Sequence, residues 1–132
     1  MNSHGTRGEG SANGKAILLG EHAVVHAVPA LALSLPLRVS AVATAAASGI
    51  RLHVPDWRYR VDGNDGSRGA RALIALANAL GIAQPAFTLE ARAALPPGAG
   101  LGSSAALAAA SARAIAQLEG LSPSDEQLFR AV

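Results

Sequence analysis

The sequence contains no cysteine, which removes disulfide frameworks, thiolate catalysis and cysteine-ligated zinc together. Aromatic residues make up only 3% of its 132 residues. Stacking platforms for bases are therefore scarce, and the core has to be built from small aliphatic side chains packed closely. Charge is sparse as well: eleven Lys and Arg against nine Asp and Glu leave a formal charge of +2, too weak a field to argue for nucleic acid as a partner. Long uninterrupted apolar runs are missing. Ala23 to Leu37 is broken by His26, Pro29 and Pro36, and the opening "MNSHGTRGEG" has no apolar segment of a secretory signal. The expectations are no membrane partner and a cytoplasmic location. What remains, 50% apolar residues, suffices for one domain with a buried core.

Residues 1–10 read as a flexible tail, followed by a domain over 11–132. "KAILL", Lys15 to Leu19, lies between Gly14 and Gly20 and reads as a short buried strand with a sharp turn at Gly20. "ALALSLPLRVSAVATA" (30–45) and "IRLHVPDWRYRVDG" (50–63) read as strands, meeting in a turn around 46–49. In the latter, Arg51 and His53 alternate with Leu52 and Val54, the pattern of a sheet with one wet face. "NDGSRG" (64–69) reads as a loop. A helix follows over 70–80, with Leu73, Ile74, Ala77 and Leu80 at helical spacing and Gly81 just beyond its end. "AFTLEARAAL" (86–95) is a further strand, and 104–118 is an alanine-rich helix that ends near Gly120. Ser122 then reads as the N-cap of a third helix, with Pro123 in its first position and Asp125 and Glu126 in its first turn. With consecutive strands ahead of any helix, the expected class is α+β: a mixed sheet with helices on one face.

Between the strand at 86–95 and the alanine-rich helix stands "PPGAGLGSSAA", Pro96 to Ala106. A strand, then glycines, then a helix start presents unpaired N–H groups and the positive end of a helix dipole to an anion. Gly98, Gly100 and Gly102 let backbone amides approach a ligand, and Ser103 and Ser104 add hydroxyls able to hold Mg²⁺ or a phosphate oxygen. The spacing fits neither the Walker pattern nor G-x-G-x-x-G. A glycine-rich turn closed by a serine N-cap and serving no ligand remains an equal alternative on these residues alone.

A second stretch is "GKAILLGEHAVVH", Gly14 to His26. Lys15 is its only lysine, the other ten basic residues being arginine, and it opens the strand; Glu21 and His22 follow the turn at Gly20. A lone lysine can simply guard a strand edge. The spacing of His22 and His26 does not make a zinc hydrolase motif, because Ala23 stands where the glutamate base belongs.

Taken together, the two stretches resemble the mevalonate kinase branch of the galactokinase, homoserine kinase, mevalonate kinase and phosphomevalonate kinase superfamily. "GKAILLGEHAVVH" is similar to that branch's opening motif and "PPGAGLGSSAA" to its phosphate loop; Asn13 and Ala27 stand where the family usually has proline and glycine. The resemblance implies the N-terminal, ATP-binding domain of a small-molecule kinase over 11–132, transferring a phosphoryl group from ATP to an alcohol such as mevalonate. Pro97, Gly98, Ala99, Gly100, Leu101, Gly102, Ser103 and Ser104 would form the ATP phosphate loop, with the Ser104 hydroxyl on Mg²⁺. Lys15 would be catalytic, and Glu21 and His22 would help to bind the alcohol.

The family's magnesium-binding glutamate and catalytic aspartate come well after its phosphate loop, in company with a second domain. Glu119, Asp125 and Glu126 are the acids that follow Ser104 here, and all read as surface or helix-start carboxylates. The chain alone is therefore expected to be an inactive N-terminal portion. Leu128, Phe129 and Val132 would be left uncovered and favour self-association. Two alternatives stand beside this reading: a nucleotide- or anion-binding module without catalysis, and a related kinase such as phosphomevalonate kinase.

Overall fold

In a computed structural model the described residues are 5–20 and 26–132. Five strands, β1 (Arg7–Leu19), β2 (Leu31–Ala45), β3 (Ile50–Val54), β4 (Tyr59–Asp62) and β5 (Phe87–Ala93), form one sheet in the order β1-β2-β5-β3-β4. Three helices, α1 (Arg68–Ala79), α2 (Ser103–Leu118) and α3 (Asp125–Ala131), complete it. The β3–β5 pair is parallel and every other pair antiparallel.

Strand periodicity sets the layers. Val39, Ala41 and Ala43 of β2, Ile50, Leu52 and Val54 of β3, and Phe87, Leu89 and Ala91 of β5 are buried beneath the helices. Their neighbours Ser40, Thr44, Arg51, Thr88, Glu90 and Arg92 stand exposed on the other face. This is the α+β fold with helices on one face, and the Arg51/Leu52 alternation marks the wet side correctly.

Four strand expectations change. The tail expected over 1–10 gives way to strand from Arg7. The glycines there serve close packing: a Cβ on Gly8 would run into the Ala114 carbonyl, and one on Gly10 into that of Ala110. "KAILL" is the end of this long edge strand and is not buried, Leu18 and Leu19 being 55% and 69% exposed. Residues 50–62 are a hairpin, β3 and β4, bent by a single 3₁₀ turn at Pro55–Trp57. β3 does not meet β2, because β5 lies between them. Its Phe87, Leu89 and Ala91 sit opposite Ala45, Ala43 and Ala41. The segment 46–49 instead spans the start of β5, with the Ala46 N–H donating to Ala86 O and the Phe87 N–H to Gly49 O (3.1 and 3.0 Å).

Helix starts move by one or two residues. α1 begins at Arg68 inside the expected loop, because Ser67 caps it by accepting from the Ala70 N–H. α3 is capped by Ser124 rather than Ser122. Ser124 forms a reciprocal capping box with Gln127, which outcompetes a Ser122–Pro123 start.

As the edge strand, β1 has one row of backbone groups without a ladder partner, and α2 with its preceding loop covers it. The Gln117 side chain accepts from the Glu9 N–H (2.5 Å), Arg113 Nη1 donates to Ser11 O (2.6 Å), and the Lys15 N–H donates to Leu101 O (2.9 Å). The β1–β2 register shifts between Asn13 and Lys15, opposite the stretch holding Pro36, which has no N–H to give the ladder.

Candidate functional site

The loop of residues 96–102 joins β5 to α2, and four observations define what it presents. Gly98, Gly100 and Gly102 all have left-handed φ, 70°, 72° and 71°, which L side chains adopt only at a penalty. Ala99 and Gly100 lie exposed at the tip, whereas Leu101 is half-buried against the core.

Gly102 is itself the N-cap of α2, and among the described residues no side chain caps that end. The contrast with the other helices is sharp: Ser67 caps α1 and Ser124 caps α3. The serines beside Gly102, Ser103 (buried) and Ser104 (exposed), lie inside the first turn. The serine-capped alternative weighed for this turn is thus not what forms. The first-turn amides of α2 keep their donors with the positive end of a sixteen-residue helix dipole behind them.

Lys15 is fastened to this loop twice. Its N–H holds Leu101 O, and its side chain crosses Gly102 so closely that a Cβ there would lie 2.9 Å from Lys15 Cγ. The absence of a side chain at 102 is what lets the lysine stem pass the helix start. Gly14, next to it, has the same character, since a Cβ would fall 2.6 Å from Leu95 Cδ2.

Two cavities flank the start of α2. One, of about 530 Å³, is lined by Pro97, Gly98, Ser103, Ser104 and Ser111 together with Trp57, Tyr59 and Arg68. The other, of about 680 Å³, is lined by Asn13, Lys15, Gly102, Arg113, Asp125 and Phe129. The loop and Lys15 therefore stand between a largely apolar pocket that carries serine hydroxyls and Arg68 and a pocket with two cations and one carboxylate, Asp125.

Of the residues singled out from sequence, Lys15 and Pro97 to Ser104 are brought together. Glu21 and His22 lie outside the described residues. Among the described residues no group of three His, Cys, Asp or Glu gathers to hold a metal, and no helix is long and apolar enough to cross a membrane. Glu126 pairs with Arg130 at the surface (2.6 Å).

Sequence reasoning missed the pocket wall. The single Trp of the chain, Trp57, lies in a stretch that reads as plain strand; the Pro-Asp-Trp inside it was the available signal of a turn. Asp56 beside it accepts from Arg92 Nε and Nη2 (2.9 and 3.0 Å) and from the Ala93 N–H (2.8 Å). The hydrogen bonds from Arg92 and the Ala93 amide lower the Asp56 pKa from its ordinary 3.8 to about 2.

Residues 68–132 match the family described as GHMP kinases N terminal domain. A mevalonate kinase of Thermococcus sibiricus is 33% identical over 91% of this chain, and one of Methanothermobacter thermautotrophicus is 38% identical over 76% of it. The chain spans 41% and 33% of the length of these curated relatives. The crystal structure of the Methanococcus jannaschii mevalonate kinase superposes with a TM-score of 0.79 at 22% identity, over 96% of this chain and 45% of that one.

Proposed function

With residues 68–132 belonging to the GHMP kinase N-terminal domain family, we propose that this chain is the ATP-binding part of a kinase that phosphorylates a small alcohol of the mevalonate type. The observation that carries the reading is the bare start of α2. It has left-handed glycines, no side-chain cap, and the only lysine of the sequence lying across it.

Pro97 to Ser104 hold the phosphates. Amides of the first turn donate to their oxygens, and the helix dipole offsets their charge. The 530 Å³ cavity, which Gly98 and Ser104 help to line, takes the nucleoside, with Trp57, Tyr59 and Leu107 among its walls. Lys15 faces the acceptor side, where its cavity also holds Asn13 and Arg113. Its ammonium stabilises charge developing on the transferred group and on the attacking oxygen, and phosphoryl transfer depends mainly on such positioning and electrostatics. With two cations against the one carboxylate of Asp125, this pocket also suits an alcohol that carries a carboxylate. Glu21 and His22 complete the acceptor side by their place in the motif.

Mg²⁺ fits here in part. The exposed Ser104 hydroxyl offers one oxygen, and a magnesium ion commonly takes the rest from phosphates, water and one or two carboxylates. Bound there, it would neutralise phosphate charge.

Backbone amide spectra of the chain titrated with ATP and Mg²⁺ test the reading. Shifts concentrated at Gly98, Gly100, Gly102, Ser103 and Ser104 are expected, and weaker binding after Gly100→Val. Unchanged spectra at millimolar ATP would refute it. Catalysis is tested on a reading frame containing this segment, where Lys15→Met should reduce kcat for mevalonate by orders of magnitude while leaving the KM for ATP within a few-fold.

A further inference from the structure

Four hydrogen bonds run from the single turn at Pro55–Trp57 to the residues that deliver the chain to the glycine loop. Asp56 receives Arg92 Nε, Arg92 Nη2 and the Ala93 N–H, and Trp57 Nε1 donates to Leu95 O at 2.7 Å. β5 ends at Ala93. Beyond it, the ladder contributes one contact, from the Ala94 N–H to Arg38 O (3.0 Å), and the Leu95 side chain is fully buried. The Leu95 carbonyl, the last anchored group before Pro96 and Pro97, is held by the indole.

The same indole is part of the cavity wall, beside Pro97, Gly98, Ser103 and Ser104. Asp56 does not line that cavity. One side chain thus touches both the space beside the loop and the stem that sets the height of the loop, while its neighbour acts on the stem alone.

We infer that Asp56 and Trp57 are positioning residues for the loop 96–102, Asp56 acting through Arg92 and Ala93 and Trp57 through the Leu95 carbonyl. This rests on the reading of that loop as a phosphate site. An indole N–H held by a carbonyl has one orientation about its ring axis, so a ring packing against it meets a fixed wall. The wall is tied in turn to the carbonyl two residues before Pro97. The Asp56–Arg92 pair fixes the turn from the other side, with two parallel N–H to carboxylate bonds.

The test separates a wall from a clamp. Trp57→Phe keeps an aromatic wall and deletes the donor to Leu95 O; Asp56→Asn leaves the wall untouched and weakens the grip on Arg92 and Ala93. Dissociation constants of the 132-residue chain for tripolyphosphate, ATP with Mg²⁺, and adenosine are measured by amide shifts, which also report whether each variant is folded. Loss of one such bond corresponds to a decrease of about 3- to 10-fold. Both variants should lose this much for tripolyphosphate and ATP; in Asp56→Asn, which does not touch the cavity wall, adenosine affinity should stay within two-fold, a selectivity that a purely structural role does not produce. Equal loss for adenosine and tripolyphosphate in Asp56→Asn, or no loss of tripolyphosphate affinity in either variant, overturns the inference while leaving the phosphate reading intact. If the parent chain binds neither tripolyphosphate nor ATP, the phosphate reading fails and the inference falls with it. Should Trp57→Phe not fold, Asp56→Asn decides between these outcomes, since it alters an exposed carboxylate on the surface turn.

Discussion

Ser111 and Gly102, both on the α2 stretch, carry stability predictions of opposite sign. The Ser111 hydroxyl is buried with no hydrogen-bond partner among the described residues, and an unmet buried hydroxyl costs about 1–3 kcal/mol. Ser111→Ala should therefore raise the unfolding free energy by about 1 kcal/mol in a urea titration; a decrease of that size would mean the hydroxyl has a partner. Gly102→Ala should lower it by about 1–2 kcal/mol, because alanine is strained at a φ of 71°. Its methyl would also push the Lys15 stem away, so the same variant should bind ATP more weakly. At this scale the sequence was informative where chemistry is local. Lys15 lies against the helix start that carries Ser103 and Ser104 because Gly14 and Gly102, adjacent to them in sequence, leave room for close approach. Asp56, Trp57 and Arg92 were not legible as a group, since residues 36 positions apart meet only after β5 has entered the sheet.

Helices α1 and α2 were readable from their sequences, within one or two residues at each end, because capping residues, apolar spacing and terminal glycines act within a few residues. The pairing of the strands was not. Local pattern reads 30–45 and 50–63 as strands, the second with a wet face at Arg51 and His53, yet nothing in it says that a strand from residue 87 onward will separate them. Glycines at 8 and 10 misled for a related reason: flexibility in the isolated chain and close contact with α2 have the same sequence appearance. Gly10→Val should accordingly destabilise the fold by at least about 2 kcal/mol in the same titration, since the added atoms meet the Ala110 carbonyl and Ala114 N–H. The turn at Pro55–Trp57 gives a pH prediction. The Asp56 carboxyl titrates lower in the fold, at about 2, than its ordinary 3.8, so its contribution is complete above pH 4 and fades as the pH falls from about 4 to about 2. The Ala93 amide and Trp57 indole resonances should move over that window, and in Asp56→Asn they should not. Movement in the parent chain and in Asp56→Asn alike would assign the effect to other carboxylates.

Across the whole molecule, the sheet works as a platform that brings its edge strand to the start of its longest helix. β1 carries Lys15, β5 delivers the glycine loop, and β3 with β4 supplies the wall of the adjoining cavity. Leu18, Leu19, Leu31 and Leu33 stay half or more exposed at one end of the β1–β2 pair, and on α3 Phe129 is 83% exposed while Leu128 packs against the core. The central claim concerns the uncapped end of α2, and one titration tests it most directly: amide spectra of the chain against ATP with Mg²⁺, with adenosine in parallel. Saturable shifts at Gly98, Gly100, Gly102, Ser103 and Ser104 are expected with ATP, and with adenosine shifts along the cavity wall around Trp57 that leave Gly100 and Gly102 unmoved. Shifts absent from all five loop and helix-start amides at saturating ATP would contradict it.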